Sequence, residues 1–178
     1  MVGQNQKDKN ISAYHISHRI VNTKDHGIPQ SRPRWYCVGI LKSNHTTKTS
    51  GFNWPEAIEM TPMAHLLERS DEAPLPPSQL CETVRKNLAK AADLIKKKGH
   101  NPAQELYVVD VDADRPNSNA MLGISPCITH SRYRGHWITS CKRRLSIREM
   151  FKLQGMNPDE LNVTGISPKD VGQKLETQ

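Results

Sequence analysis

The sequence predicts a mixed α/β chain, and three observations carry that prediction. Two segments rich in β-formers, YHISHRIVN from Tyr14 to Asn22 and RWYCVGI from Arg34 to Ile40, alternate roughly in polarity as strands do. A long amphipathic stretch follows Ser78, with Leu80, Val84, Leu88, Ala91 and Ile95 at helical spacing. A second, shorter helix is announced by Ser146-Ile147-Arg148-Glu149, a capping box in which hydroxyl and carboxylate satisfy each other's free backbone N–H groups.

Taken in order, residues 1–10 (MVGQNQKDKN) are polar and predict a frayed start, unless they continue a longer chain. The first two strands are joined through a turn at Lys24-Asp25-His26-Gly27 and through Pro29. Such a pair makes an edge of a larger sheet but not a domain. Cys37, in the second strand, is expected to be a packed core thiol. From Ser43 to Leu75 the chain is polar and broken by Pro55, Pro62 and Pro74, which predicts loop with one or two helical turns. Ser78 is the expected N-cap of the long helix, and Gly99 its stop. Lys96-Lys97-Lys98 sit at the negative end of its dipole, so a solvated helix end is favoured over a DNA contact. Leu106 to Val111 (LYVVDV) predicts a strand, 112–119 a turn-rich connection, and 124–139 strands joined by a loop. In the last helix Met150, Phe151 and Leu153 supply the apolar side, and Gly155 ends it.

At 178 residues the chain suffices for one domain, or for a small domain plus pieces of another. Hydrophobic residues are 35% and mean hydropathy is -0.68, which predicts a modest core with parts that need a partner surface. Lys plus Arg number 25 against 18 Asp plus Glu, a net charge of +7. That excess favours a polyanionic partner, though many basic proteins never touch nucleic acid. The four cysteines are far apart with no CxxC pair, and there is no signal peptide and no apolar run near 18 residues. A reduced, intracellular, non-membrane protein is expected.

Two segments carry the chemistry. In Pro29-Gln30-Ser31-Arg32-Pro33-Arg34, proline stiffens the loop, and arginines at i and i+2 of an extended segment point to one side. Arginine suits the recognition of a base or phosphate because its planar fork gives two parallel hydrogen bonds and keeps its charge. About 100 residues later comes Arg143-Arg144-Leu145-Ser146-Ile147-Arg148-Glu149, then Leu153-Gln154-Gly155. Alone, each has a plain structural reading: a basic loop, and a capped helix with a basic lead-in. Specificity comes from having both, in this order.

HGIPQSRPRWYCVGI resembles the motif that ends the main catalytic domain of DNA cytosine-5 methyltransferases, and RRLSIREMFKLQG resembles the motif where the chain re-enters that domain. Between them the family inserts a variable target recognition domain, and SPCITHSRYRGHWI resembles its final segment. The resemblance therefore implies 1–42 as the end of a catalytic domain, 43–140 as the target recognition domain, and 141–178 as a truncated return segment. The implied fold is α/β: the C-terminal portion of a Rossmann-like S-adenosylmethionine-dependent methyltransferase, with a small mixed α+β insertion.

The resemblance also implies roles. Arg34 would contact the flipped cytosine near its carbonyl oxygen, Arg32 would order that pocket, and Gln30 would support the loop. Arg132, Tyr133, Arg134 and Gly135 would form the groove-facing loop, with Gly135 permitting close approach to DNA. Arg143 and Arg148 would tie the recognition domain to the catalytic core and to backbone phosphates, while Arg144 would meet solvent or phosphate. From Arg132 to Lys152 seven cations face only Glu149, a net +6, which predicts strongly salt-dependent binding of duplex DNA.

Departures from the family pattern are as informative. The glycine-rich loop for S-adenosylmethionine, the Pro-Cys nucleophile loop and the Glu-Asn-Val strand are not among these residues. ISPKDVGQKL leads toward the closing Gly-Asn motif, but Glu176-Thr177-Gln178 stands there instead. Pro126-Cys127 is not the nucleophile loop, because it follows the arginine motif and continues Ile128-Thr129. A gene fragment, a mispredicted frame and one subunit of a split enzyme with an N-terminal catalytic partner all remain open. So does a non-catalytic DNA-binding module derived from the family. The chain alone is expected to be inactive, and the enzyme would work in the nucleus of a eukaryote or the cytoplasm of a prokaryote. Zinc is the rival reading: Cys127, His130, His136 and Cys141 lie within 15 positions, but at spacings unlike those of a finger. His15 and His18 would face opposite ways on their strand.

Overall fold

A computed structural model describes residues 13–42, 52–69, 76–113, 120–162, 164–167 and 169–170. The expected frayed start at 1–10 lies outside these residues, as do 43–51 and 70–75 of the proline-broken stretch, 114–119 of the turn-rich connection and 171–178. The contacts divide the chain into two units, one of residues 1–21 and 33–56, the other of 22–32 and 57–178.

The first unit is built on a ribbon of two paired strands, β1 (Tyr14–Asn22, its last residue belonging to the second unit) and β3 (Pro33–Leu41). Gly39 brings the strands' side chains close, since a Cβ there would lie 3.5 Å from Ile16 Cδ1 and 3.6 Å from Tyr14 Cδ1. Trp54 Nε1 donates to Ser17 Oγ at 2.8 Å, and Phe52 meets Trp54 edge-on. Apolar side chains nevertheless stay in water: Ile16, Ile20 and Trp35 are each 60% or more exposed. Cys37 is exposed as well, which corrects the expectation of a packed thiol. The reason is architectural: alternation gives the ribbon an apolar side, but among the described residues of its unit no second layer covers it.

The second unit holds β2 (Gln30–Ser31), α1 (Glu82–Lys97), β4 (Tyr107–Val109), β5 (Ala120–Leu122), β6 (Ser125–Pro126), β7 (Trp137–Ile138), β8 (Arg143–Arg144) and α2 (Ile147–Leu153). Four of these strands form an antiparallel sheet in the order β5-β4-β7-β8, with Val108 opposite Met121 on one side and Ile138 on the other. Because strand side chains alternate, β4 serves two cores. Val108 packs with Ile138, Leu145, Met150, Phe151 and Leu153, so this cluster includes α2. Val109 packs with Trp137, Val111, Val84 and Ala91, so this one includes α1. Outside the sheet, β2 pairs in parallel with β6, Gln30 opposite Ser125.

Helix α1 begins later than Ser78. Pro76 and Pro77 lead into a 3-10 turn over Pro77–Gln79, in which Gln79 N donates to Pro76 O at 2.9 Å. Cys81 is then the N-cap, without a side-chain bond. Val84, Ala91 and Ile95 of the apolar stripe are buried. Asn87 is buried beside them, and its Nδ2 donates to the carbonyls of Val111 and Ala113 at 2.8 and 3.0 Å, pinning the helix to the exit of β4. Gly99, at φ 84°, ends the helix, with His100 N returning to Ile95 O. No helix of the described residues is long and apolar enough to cross a membrane.

Candidate nucleic-acid interface

Helix α2 starts as its sequence predicts. Ser146 Oγ accepts from Glu149 N at 3.1 Å, and Glu149 Oε2 accepts from Ser146 N at 2.7 Å. The cap is only part of what Glu149 does. Its buried carboxylate also accepts Arg143 Nη1 and Nη2 at 2.8 and 2.7 Å, and the Glu68 N–H at 2.8 Å. Burial pushes the Glu149 carboxyl up, but the Arg143 fork and the two backbone donors outweigh it and hold the carboxyl below its ordinary value. Arg143 Nη2 donates in addition to Glu68 O at 3.0 Å.

Most of the rest of the basic stretch is also paired with carboxylates. Arg148 binds the carboxylates of Glu68 and Asp159, and Lys152 binds Glu68 at 3.1 Å. Arg144 holds both oxygens of Asp112 at 2.7 and 2.8 Å, and Arg132 Nε holds Asp110 at 2.7 Å. Burial raises the Asp112 carboxyl, and the Arg144 fork more than reverses that. Five of the seven cations between Arg132 and Lys152 therefore meet five carboxylates, Glu68, Asp110, Asp112, Glu149 and Asp159, where the local sequence shows one. Carboxylates from outside the stretch thus offset much of the net +6 counted along it. The pairing also corrects Arg144, which is bound to Asp112 and to the Gly135 carbonyl rather than free for solvent or phosphate. Arg134 and Lys142 stay exposed.

Gly135 is corrected too. It is buried, at φ 75°, and a Cβ there would stand 2.5 Å from Leu145 O. The close approach it permits is to the chain's own backbone, where Leu145 N donates to His136 O at 2.8 Å. Its neighbours Tyr133 and Arg134 form the outer part of the loop, with the Arg134 guanidinium 5.6 Å from the Tyr133 ring centre.

The members of the first motif are distributed over both units. Gln30 is fully buried in β2, and neither polar atom of its side chain has a hydrogen-bond partner among the described residues. Thr23 Oγ1 donates to its carbonyl at 2.6 Å. The Arg32 N–H donates to Asn22 Oδ1 at 2.8 Å, and its guanidinium donates to the side-chain oxygen of Gln154 at the C-cap of α2. Next to that cap, a Cβ on Gly155 would lie 3.2 Å from Ile28 Cδ1. The two sequence motifs are thus in contact within the second unit. Arg34 is the second residue of β3 in the first unit, exposed, with Nη1 donating to the Pro33 carbonyl at 3.0 Å.

Among the described residues no three His, Cys, Asp or Glu side chains come together as a metal site. His136 is buried, 3.3 Å from the Cys127 carbonyl through Nε2, and burial lowers its basicity despite Asp110 nearby.

Comparison with known proteins gives the family. Residues 5–169 match the family model of C-5 cytosine-specific DNA methylases, so the chain belongs to that family. Among curated relatives, the type II methyltransferase M.HaeII of Haemophilus aegyptius is 26% identical over 158 residues, covering 86% of this chain and 44% of that protein. Among solved structures, the methyltransferase EhMeth of Entamoeba histolytica aligns with a TM-score of 0.51 at 19% identity, covering 92% of this chain and 48% of that one. That second likeness is one of fold alone, an α/β methyltransferase fold. The chain spans about half the length of each relative.

The family implies S-adenosylmethionine as methyl donor. The described residues do not form a site for it. None of the glycines at positive φ (27, 99, 123, 135, 155 and 165) belongs to a glycine-rich turn from strand to helix, and among the described residues of the second unit parallel pairing is confined to the two-residue β2–β6 pair and the single bridge between His26 and Ile58.

Proposed function

We propose that this chain is the DNA-reading half of a cytosine-5 methyltransferase, acting inside the cell together with a catalytic half. That half is supplied by the same polypeptide or by an N-terminal partner subunit. Residues 1–42 and 141–178 belong to the catalytic domain, and 43–140 are the target recognition domain. The observation that carries the proposal is the contact between Arg32 and Gln154, 122 positions apart in sequence. A domain inserted into another must leave and re-enter at neighbouring points, and this contact, with Gly155 against Ile28, supports a junction of that kind. The bare apolar side of the β1–β3 ribbon supports the same proposal, since such strands gain stability by joining a larger sheet.

In this function the target cytosine leaves the stack, because its ring carbons cannot be attacked within the duplex. Arg34 holds the extruded base near its carbonyl oxygen. Arg32, fixed by Gln154, orders the pocket, and Gln30 supports the loop from within. The nucleophilic thiol and the assisting glutamate come from the catalytic half.

Titration of duplex DNA onto the chain at increasing salt tests the DNA-reading role. Each phosphate neutralised adds about 0.9 to the slope of log K against log salt. Since most cations between Arg132 and Lys152 are paired internally, that stretch should contribute a slope of about 2, from Arg134 and Lys142, rather than about 6. Affinity that does not change with salt would contradict the role.

A further inference from the structure

The loop from His130 to Gly135 is fastened at both ends to one acidic turn. At its start, Arg132 closes a short 3-10 turn (His130–Arg132) and gives its Nε to Asp110 at 2.7 Å. At its end, the Gly135 carbonyl accepts Arg144 Nη1 at 2.7 Å, and the same guanidinium grips Asp112 with two bonds. Asp110 and Asp112 leave β4 one residue apart. The turn that carries them is anchored: Val111 between them is fully buried, and its carbonyl accepts Asn87 Nδ2 from α1. Gly135 completes the clamp by lying against the Leu145 backbone.

What the clamp presents is Tyr133 and Arg134. Arg134 is exposed, and the hydrogen bond its side chain makes among the described residues is Nε to Tyr133 Oη at 3.2 Å. Both terminal nitrogens of its fork are therefore available, at the tip of a loop whose two ends are bonded to the same turn. A surface built only to attract phosphate would not place two carboxylates beside its arginines, because each weakens the field that draws DNA in. Their contribution is geometric.

We infer that Arg134 is a specificity-determining residue that takes the edge of a guanine in the major groove, and that Asp110 and Asp112 are positioning residues for it. This rests on the DNA-reading role proposed above. The fork of arginine matches guanine O6 and N7 with two parallel bonds, a match that depends on how the loop is aimed. Arg132 and Arg144, though adjacent, are spent on the aiming.

The test is selection from a random-sequence duplex pool with the 178-residue chain and its variants, together with affinity for the unselected pool at several salt concentrations. The wild type should enrich a motif containing guanine. Arg134→Lys should lose about tenfold in preference at one guanine position, while its affinity for the unselected pool stays within about twofold. Asp110→Asn, which frees Arg132, should bind the unselected pool more tightly, steepen the salt slope by about 0.9 and blunt the motif. Should Asp110→Asn not melt like the wild type, Arg132→Gln breaks the same contact from the other side. It should blunt the motif without the gain in affinity. A motif left intact by Arg134→Lys overturns the inference, as does a motif left intact by Asp110→Asn or by Arg132→Gln. A wild type that binds duplex with no sequence preference also overturns it, leaving the proposed DNA-reading role standing. A wild type that binds no duplex overturns that role itself.

Discussion

Glu149 is the side chain whose replacement should disturb this fold most for the smallest change of shape. Its carboxylate receives four donors at 2.7–2.8 Å, namely both terminal nitrogens of Arg143 and the backbone N–H groups of Ser146 and Glu68. Glu149→Gln keeps the volume but turns one acceptor into a donor and leaves Arg143 without its counter-charge. Breaking a buried ion pair from one side costs about 3–5 kcal/mol, and because Arg143 retains the Glu68 carbonyl the lower end applies here, about 3 kcal/mol. For a chain of this size that corresponds to a fall in Tm of about 6–12 °C. Thermal and urea unfolding followed by circular dichroism measure it, and a cycle with Arg143→Met isolates the pair. The pH dependence gives an independent check. The folded carboxyl lies below its ordinary value, so the unfolded chain binds more protons as pH falls toward that lower range. The wild type should hold this stability above about pH 4.3 and lose it as pH falls through the folded value, while Glu149→Gln lacks that loss. A cost under about 1 kcal/mol, with an unchanged pH profile, would refute the four-donor account.

Three further substitutions test other contacts. Gly135→Ala places a Cβ 2.5 Å from the Leu145 carbonyl at a positive φ, and should lower stability by about 1–3 kcal/mol in urea unfolding; an unchanged midpoint would show that the loop yields freely. Arg144→Lys gives up one bond to Asp112 or the Gly135 carbonyl, so it should cost about 1 kcal/mol rather than nothing; wild-type stability would show the clamp to be loose. In an enzyme completed with a catalytic half, Arg34→Lys should keep most duplex affinity while cutting single-turnover methylation at least tenfold, since lysine keeps the charge but loses the fork; wild-type methylation would remove Arg34 from the base pocket.

The features legible in the sequence are local ones. The capping box at Ser146 and Glu149 spans four residues, and the glycines closing both helices stand within four residues of their last apolar positions, Ile95 and Leu153. The α1 stripe was legible for the same reason, although the Pro76-Pro77 pair spent Ser78 on a 3-10 turn and moved the start to Glu82. The ion pairs could not be read off in this way. Arg132 finds Asp110 and Arg144 finds Asp112 across 22 and 32 positions, because β4, β7 and β8 lie side by side in one sheet. Charge counted along a segment therefore overstated the field that segment presents. Gly135 shows the same limit: its need for close approach was visible, but the partner, Leu145, depends on the β7–β8 pairing. Asn87 carried no signal at all, since a polar residue on an apolar stripe becomes intelligible only once the β4 exit is seen to offer it two carbonyls.

The central claim is that these residues read DNA for a methyl transfer whose nucleophile lies elsewhere in the enzyme. Its most direct test is transfer of labelled methyl groups from S-adenosylmethionine to duplex DNA, measured with the 178-residue chain alone and with the chain completed by a catalytic half carrying the Pro-Cys and glycine-rich loops. The account predicts no transfer by the chain alone, and labelled 5-methylcytosine from the completed enzyme. Turnover by the chain alone would contradict it.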